Sequence, residues 1–286
     1  MRVIDSHTHV IASDTEKYPV APVGGKQSEW SKERPVSHDG LVAAMDEARI
    51  DQAVVVQAST VYGHDAGYVV EAVRAHPSRF VGVFSVDPVA DDAVEQMKRW
   101  LGEGLVGLRL FTTGSTMPGQ AHWLADPKSY PVWDYAQAND VPVCLQMTME
   151  GVPMLRTLLE RFPRVNVLLD HLARPNLAKG APYTDAQPLF DLAAFPGVHL
   201  KLTNRTLAAA TEGAATVASF ISFVLQAFGA ERVLWGSNFP AAEGRLKALL
   251  DEAKTGLAAV PEREREIIFA AAAQRLYPRL AEAALV

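Results

Sequence analysis

The start of the chain places two histidines where they could do chemistry. Val3 and Ile4 read as a strand entering a core, and alternate side chains of a strand share a face, so Asp5, His7 and His9 point the same way. Two imidazoles on one face of a buried strand suit metal binding or carbonyl polarisation better than packing. A His-x-His pair alone is a weak motif, so its interpretation depends on the rest of the chain.

Polar side chains also follow the other apolar segments, at the point where each segment ends. They are Gln57, Ser59, Tyr62 and His64 after the second segment, Arg109 in the fourth, Gln146 after the fifth, His171 after the sixth, Thr203, Asn204 and Arg205 after the seventh, and Ser237 and Asn238 after the eighth. Buried polar groups need partners, and a ligand pocket supplies them. Hydrogen bonds among these side chains could explain single members of the set, but they explain three histidines and an arginine less well.

These residues must be positioned by a regular scaffold. Helical patterns separate eight apolar segments, which are residues 3–6, 53–57, 80–84, 105–110, 141–145, 165–170, 198–202 and 232–235. Eight such repeats with no break in composition predict an α/β fold, a single (β/α)8 TIM barrel spanning residues 1–286, with its site at the ends of the strands. An extra C-terminal helix, residues 261–277, should cap the barrel. A doubly wound sheet is the alternative, but its Gly-rich nucleotide turn is missing.

Three of the loops that follow strands are long. They comprise residues 10–35, 111–128 and 172–184. Loops of this length in a compact domain are usually functional or disordered. Trp30 and Trp123 lie in the first two loops, which favours ordered lids that cover the pocket rather than disordered segments.

Composition narrows the class of protein further. The net charge is −6 and no basic patch is interleaved with aromatic residues, which argues against a nucleic-acid partner. The uncharged stretch 213–230 has apolar residues at helical spacing and polar residues on another face, so we expect an amphipathic helix and no membrane association. The single cysteine, Cys144, has an apolar setting and suits a reducing compartment. We therefore expect a cytoplasmic enzyme, with its oligomeric state left open.

Taken together, the motifs resemble those of the amidohydrolase-related family often called amidohydrolase 2. The resemblance covers nearly the full length and rests on five short motifs, which are Asp5-x-His7-x-His9, Gly107-Leu-Arg109, Leu168-Leu-Asp-His171, Trp235-Gly-Ser-Asn-Phe-Pro240 and Arg275-Leu-Tyr277. The resemblance implies a TIM-barrel hydrolase. Within the family, the chain is similar to the lactonase branch, which includes 2-pyrone-4,6-dicarboxylate lactonase and the sugar-lactone hydrolases. The decarboxylases of the family are usually longer.

Two residues depart from the pattern of the family. The eighth strand usually ends in an aspartate that activates water or binds metal, and this chain has Asn238, whose amide cannot accept a proton at neutral pH. Members that use a metal tend to have a histidine after the fifth strand, where this chain has Gln146. With His171 on a distant strand, His7 and His9 would form only a weak metal site. No cofactor is therefore favoured, and one divalent metal such as zinc is the alternative.

The sequence thus predicts a hydrolase that opens a lactone or related cyclic ester in a small, carboxylate-bearing metabolite. His7 and His9 would polarise the scissile carbonyl, and His171 would accept the proton of the attacking water. Asn238 and Gln146 would orient water or substrate. Substrate would also be contacted by the side chains of Arg109, which would bind its carboxylate, Tyr62, His64 and Arg205.

Two alternatives belong to other functional classes. A decarboxylase of an unsaturated or aromatic acid needs a polarising site and a proton donor but no carboxylate base, so Asn238 weakens that hypothesis less. A relative that has lost catalysis would bind small carboxylates without turnover. Release of carbon dioxide, or tight binding without any product, would distinguish the two from a lactonase.

Overall fold

Eight parallel strands follow one another around a barrel in the order of the chain. The computed structural model describes residues 1–114, 116–117 and 119–282. The strands are β1 (Ile4–Thr8), β2 (Gln52–Val56), β3 (Phe80–Ser85), β4 (Gly107–Phe111), β5 (Val143–Gln146), β6 (Val167–Asp170), β7 (Val198–Thr203) and β8 (Val233–Gly236). The predicted (β/α)8 TIM barrel is confirmed, with each predicted apolar segment overlapping one strand.

Side chains and a glycine close the barrel between β8 and β1. The Ser6 hydroxyl donates to the carbonyl of Trp235 at 2.7 Å, and the Asp5 carboxylate accepts the backbone amide of Ser237 at 2.9 Å. A Cβ atom at Gly236 would lie 2.7 Å from Cβ of His7, closer than real side chains approach. Glycine at this position therefore lets β8 approach β1 closely enough to close the barrel beside His7.

Helices surround the strands and complete the chain. They are α1 (Glu29–Glu33), α2 (His38–Ala48), α3 (Ser59–Tyr62), α4 (Gly67–Ala75), α5 (Ala93–Gly102), α6 (Tyr130–Ala138), α7 (Val152–Arg161), α8 (Gln187–Asp191), α9 (Asn204–Ala209), α10 (Val217–Phe228), α11 (Leu246–Gly256), α12 (Glu262–Glu266), α13 (Ala272–Leu276) and α14 (Arg279–Glu282). A π-helical turn, Ile267–Ala271, joins α12 to α13. Among the residues that the structure describes, no helix has the length and apolar character needed to cross a membrane.

The C-terminal helices close the end of the barrel opposite the site. Ala273, Leu276 and Tyr277 pack against side chains inside the barrel, including Val54 of β2 and Leu168 of β6. The predicted cap is therefore present, and it leaves the carboxyl ends of the strands as the open end. A functional cavity must lie at that end.

Candidate active site

A cavity of about 260 Å³ opens at the carboxyl ends of the strands. Trp30 and Arg174 line it together with six residues that the sequence predicts for the site, which are His9, Arg109, Gln146, His171, Arg205 and Asn238. The long first loop supplies Trp30, whose ring centroid lies 5.4 Å from that of His9. The cavity is at the small end for a binding site, so it suits a small metabolite.

Three histidines converge at the floor of this cavity. The ring centroid of His7 lies 4.9 Å from that of His9 and 5.4 Å from that of His171. Their side chains come from β1 and from the end of β6, on different sides of the barrel. His171 lies on a distant strand, as predicted, and the barrel is narrow enough for its ring to approach that of His7.

Burial keeps all three imidazoles neutral at neutral pH. Loss of hydration lowers the pKa of His9 and of His171 to about 3, with nearby Arg109 and Arg174 respectively acting in the same direction. Burial, followed by the charge of Lys201, also holds the pKa of His7 well below its usual range. A neutral imidazole has one N–H and one free nitrogen, so hydrogen bonds decide what each ring can do.

The hydrogen bonds fix the chemistry of the two histidines at the cavity. Nδ1 of His9 lies 2.8 Å from the carbonyl oxygen of Val56, so this nitrogen must carry the proton and donate it. Nε2 of neutral His9 is then a lone pair, which can bind a cation but cannot donate to an oxyanion. Nδ1 of His171 lies 2.8 Å from Oγ1 of Thr203, a hydroxyl that can accept from it and leave Nε2 free as a proton acceptor.

A buried ion pair lies directly beneath the histidines. Register places Asp170 of β6 beside Lys201 of β7, and Nζ of Lys201 lies 2.7 Å from Oδ1 of Asp170. Both side chains are fully buried. Oδ1 of Asp170 is also 3.4 Å from Nδ1 of His7, and its Oδ2 is 3.5 Å from Nε of Arg109. The carboxylate therefore connects β6 to three other strands, which are β1, β4 and β7.

The cations around Asp170 keep it ionised. Burial alone would raise its pKa, but Lys201, His7 and Arg109 together hold that pKa well below its usual value. The sequence-based prediction assigned no role to Asp170 or Lys201. Strand alternation could have found both, because Asp170 shares the inward face with Leu168, and Lys201 shares a face with Thr203, which bonds to His171.

Arg109 is only partly available to a substrate. It donates to the carbonyl of Gln57 at 2.8 Å and to the side-chain oxygen of Gln146, and its Nε faces Asp170. Asp170 thus gives Arg109 a buried partner of opposite charge. Its guanidinium still lines the cavity, so it gives positive charge to the floor.

Two further arginines lie at the rim. Arg174 has a buried Nε with no hydrogen-bond partner, and burial followed by the charge of Arg205 lowers its pKa to about 10. Arg205 is exposed and begins α9 next to Asn204. Arg174 and Arg205 also line a smaller adjoining cavity of about 200 Å³. The charge of the rim favours an anionic ligand.

The segment that presents His171 and Arg174 has an unusual backbone. Residues 171–174 all have positive φ, between 52° and 56°, although none is glycine. This conformation costs each L-residue roughly 1–2 kcal/mol. Such strain is typical of functional sites and persists only where the surrounding structure holds it.

Tyr62 and His64 do not line the cavity, contrary to their predicted roles. Thr60 of α3 lines the cavity, whereas Tyr62, two residues farther along the same helix, does not. The hydroxyl of Tyr62 accepts the backbone amide of Ala12 at 2.7 Å, so Tyr62 fastens the first long loop. His64 is exposed, and its Nδ1 lies 3.0 Å from the hydroxyl of Ser85. The two residues are near the site in sequence, but the direction of α3 removes them from it.

The imidazoles at the floor offer nitrogen donors of the type that binds a divalent metal ion. His9 and His171 each engage Nδ1 and leave Nε2 free, which is the usual arrangement of metal-binding histidines. Both ring nitrogens of His7 are buried without a hydrogen-bond partner. Among the described residues, the nitrogens of these three rings do not all lie within 4.8 Å of one another, so the set is more open than a closed site. The three rings therefore do not surround one ion in this arrangement, and metal binding is open to the pair His7 and His9.

The buried histidines should make the fold sensitive to acid. We expect the free energy of unfolding to be constant above about pH 6.5, the pKa of unfolded histidine, and to fall at lower pH. His9 and His171 stay neutral in the folded protein down to about pH 3, so unfolding takes up their protons between these limits. Each contributes up to roughly 1.4 kcal/mol per pH unit. Urea unfolding between pH 4.5 and 8 would measure the slope.

Asp5 acts in the opposite direction. Burial raises its pKa to about 6, so the folded protein holds a proton that the unfolded chain releases between about pH 4 and 6. The proton released from Asp5 offsets the proton taken up by roughly one histidine. With His7 included, unfolding therefore takes up about two protons in this pH range. Replacing His171 by Asn should reduce the slope, and replacing the exposed His122 by Gln should not. Stability that does not change between pH 5 and 7 would contradict neutral burial of the three rings.

Comparisons with known proteins agree with this architecture. The chain matches the amidohydrolase family over residues 4–279. It is 33% identical to L-fucono-1,5-lactonase of Burkholderia ambifaria over 119 residues, which are 41% of this chain and 41% of that protein. The chain therefore matches less than half of the length of this curated relative. The resemblance of the motifs to the lactonase branch is supported by this relative.

Solved structures extend the likeness to the whole barrel. A Pseudomonas putida protein provisionally named 2-pyrone-4,6-dicarboxylic acid hydrolase has a TM-score of 0.78 at 20% identity, covering 97% of this chain and 98% of that chain. An amidohydrolase from Burkholderia multivorans, solved with bound zinc, has a TM-score of 0.77 at 21% identity, covering 97% and 99%. At this identity the structures support the fold. The family match spans nearly the whole sequence, and the chain belongs to the amidohydrolase family.

Proposed function

We propose that this protein is a hydrolase that opens the ring of a lactone in a small, anionic metabolite. The observation that carries the proposal is the meeting of a free imidazole nitrogen of His171 with the guanidinium groups of Arg109 and Arg174 in one small cavity. A proton acceptor beside fixed positive charge suits attack of water on an ester carbonyl. The likeness to a lactonase and membership of a hydrolase family support the same reaction class.

Substrate recognition would depend on the arginines. Arg174 offers a buried N–H without a partner, and Arg205 offers an exposed guanidinium at the same rim. A carboxylate between them would receive two charge-assisted donors. Because Arg109 is already held by Gln146 and Asp170, we assign it to the reacting carbonyl rather than to the distant carboxylate.

In the proposed mechanism, His171 removes a proton from the attacking water. Its neutral state and the contact of Nδ1 with Thr203 leave Nε2 able to accept that proton. The ring then returns the proton to the leaving alkoxide as the C–O bond of the lactone breaks. Negative charge that develops on the carbonyl oxygen would be stabilised by the guanidinium of Arg109, with the Asn238 amide orienting water or substrate.

The roles of His7 and His9 differ from the sequence-based hypothesis. Neutral His9 has no N–H facing the cavity, so it cannot polarise a carbonyl by hydrogen bonding. A divalent ion held by His7 and His9 would supply Lewis-acid polarisation of the carbonyl when bound, and it would leave Nε2 of His171 free as the proton acceptor. Elemental analysis of the purified protein, followed by removal of metal with a chelator, tests this assignment directly.

A panel of lactones that differ in charge would test the proposed function. We expect acid release, followed with a pH indicator, from lactones that bear a carboxylate, and little from neutral lactones of the same ring. The Arg174→Gln variant should raise KM for the anionic lactones more than for neutral ones. Carbon dioxide release without ring opening would instead identify a decarboxylase, and binding of carboxylates without any product would identify an inactive relative; either outcome would overturn the proposal.

Replacing Asn238 by Asp is expected to raise the rate of lactone hydrolysis by about 10- to 100-fold or to make it dependent on metal. Asn238 lines the cavity with a φ of 61°, a conformation that Asn and Asp both tolerate, so the backbone should be preserved. The carboxylate would add a base and a cation ligand that the amide lacks. Steady-state kinetics with and without added zinc would measure the effect.

The control for this prediction is Asn238→Gly, which removes the side chain at no cost to the positive φ. It should be slower than the parent because nothing then orients water. An Asp variant slower than the parent would show that the amide has a role of its own in this site.

A further inference from the structure

A second group of ligand-type side chains lies outside the barrel cavity. His38 and Asp39 are the first two residues of α2, and His76 follows the last residue of α4. None of the three lines the cavity that contains the candidate active site. Among the described residues, they are the group of three possible metal ligands whose donor atoms all lie within 4.8 Å.

The three donor atoms form a nearly equilateral triangle. Nδ1 of His38 lies 3.2 Å from Nε2 of His76 and 3.2 Å from Oδ1 of Asp39, and the last two atoms are 2.8 Å apart. In a tetrahedral zinc site with bonds of about 2.0 Å, two ligand atoms are separated by about 3.3 Å. The triangle therefore has the size of one face of a zinc coordination tetrahedron.

Hydrogen bonds alone explain this triangle less well. If both imidazoles donated to Oδ1 of Asp39, their two N–H groups would converge on one oxygen while their nitrogens are only 3.2 Å apart. If one imidazole donated to the other, the accepting nitrogen would carry no proton, and it would face the oxygen of Asp39 with no hydrogen between the two atoms. A cation at the centre satisfies all three atoms at once.

The surroundings of His38 also resemble a metal centre. Its second nitrogen, Nε2, faces Oε1 of Glu71 at 3.7 Å, so a carboxylate lies on the side of the ring away from the triangle without a direct hydrogen bond to it. Lys17 and Tyr18 hold Glu71 in place from the first long loop. The ring of His38 packs against Tyr68, with centroids 5.6 Å apart. His38 is thus fixed, while Asp39 is exposed and leaves room for a water ligand.

We propose that His38, Asp39 and His76 bind one divalent zinc-class ion, with water as the fourth ligand. Two imidazoles and one carboxylate are a usual ligand set for this ion. The ion would connect the start of α2 to the end of α4 and stabilise that face of the barrel. The proposal is independent of the reaction in the cavity.

Zinc titration of the full-length protein in competition with a chromophoric chelator would test this site, after dialysis against EDTA. We expect the parent to bind one equivalent more than His76→Gln, and Asp39→Asn to bind that equivalent at least about 10-fold more weakly, through loss of one charged ligand. His122→Gln, which changes an exposed histidine elsewhere, should bind as the parent does. The additional equivalent should persist in His7→Asn, which alters only the cavity.

Thermal unfolding provides a second measurement. Zinc should raise the Tm of the parent more than that of His76→Gln, and hydrolytic activity should be equal in the two proteins because the site lies outside the cavity. Far-UV circular dichroism would show that His76→Gln is folded. Equal zinc stoichiometry in the parent and His76→Gln would overturn the proposal, whatever the result of the lactone panel.

Discussion

Replacing Lys201 by methionine is expected to lower the free energy of unfolding by about 3–5 kcal/mol. Lys201 is fully buried, and its ammonium group lies 2.7 Å from Oδ1 of Asp170. Methionine has a similar length and fills the space, so packing changes little. The cost arises because the carboxylate of Asp170 loses its nearest cation in a site without access to water. Urea unfolding at pH 7.5 would measure the loss.

Two further variants separate this effect from a general loss of packing. Lys254→Met changes an exposed lysine of α11 and should alter stability by less than about 0.5 kcal/mol. Lys201→Met combined with Asp170→Asn removes both charges, and we expect it to be more stable than Lys201→Met alone. If Lys201→Met does not fold, recovery of folding in the double variant tests the same claim. A loss below 1 kcal/mol in Lys201→Met would contradict the ion pair.

The same ion pair explains why the floor of the cavity is electropositive. Asp170 is one carboxylate, whereas Lys201 and Arg109 are two cations beside it. Arg174 and Arg205 add further positive charge at the rim. Among the residues that the structure describes, no acidic side chain lines the cavity and balances this excess. An anionic substrate would balance it, which links the buried pair to the proposed choice of ligand.

The strands could be predicted from the sequence because burial selects apolar runs. The predicted runs begin two residues early at β4, β5 and β6, where residues 105–110, 141–145 and 165–170 were predicted and Gly107–Phe111, Val143–Gln146 and Val167–Asp170 are observed. Val141 and Val165 are buried without belonging to a strand. Hydrophobicity reports burial, and it does not report where backbone pairing begins.

Residues of the site were predictable where a side chain directly ends a strand. His9 directly follows β1, Gln146 is the last residue of β5, Asn238 lies two residues after β8, and all three line the cavity. Tyr62 lies farther along the chain, and the course of α3 decides its direction, which a strand pattern cannot reveal. Lys201 was overlooked for a different reason, since charged residues are almost never fully buried unless paired, and its partner lies on another strand.

Replacing His171 by asparagine is expected to lower kcat for lactone hydrolysis by about 10²- to 10⁴-fold. The ring is the neutral group whose free nitrogen would accept the proton of water, and the amide of asparagine has no comparable basicity. Asparagine tolerates the φ of 55° at this position, so the strained turn should survive the change. Steady-state kinetics across pH 5–9 would measure both kcat and KM.

The matched variant is Thr203→Val, which removes the hydroxyl that faces Nδ1 and leaves the ring in place. A positioning role predicts a smaller loss of kcat than in His171→Asn, with an altered pH profile, because the ring is then free to exchange its tautomer. KM for anionic lactones should change little in both variants, since the arginines that bind the carboxylate are untouched. If His171→Asn retained the parent kcat while KM rose, the ring would be a binding group, and the base would have to be sought in Asp170 beneath it.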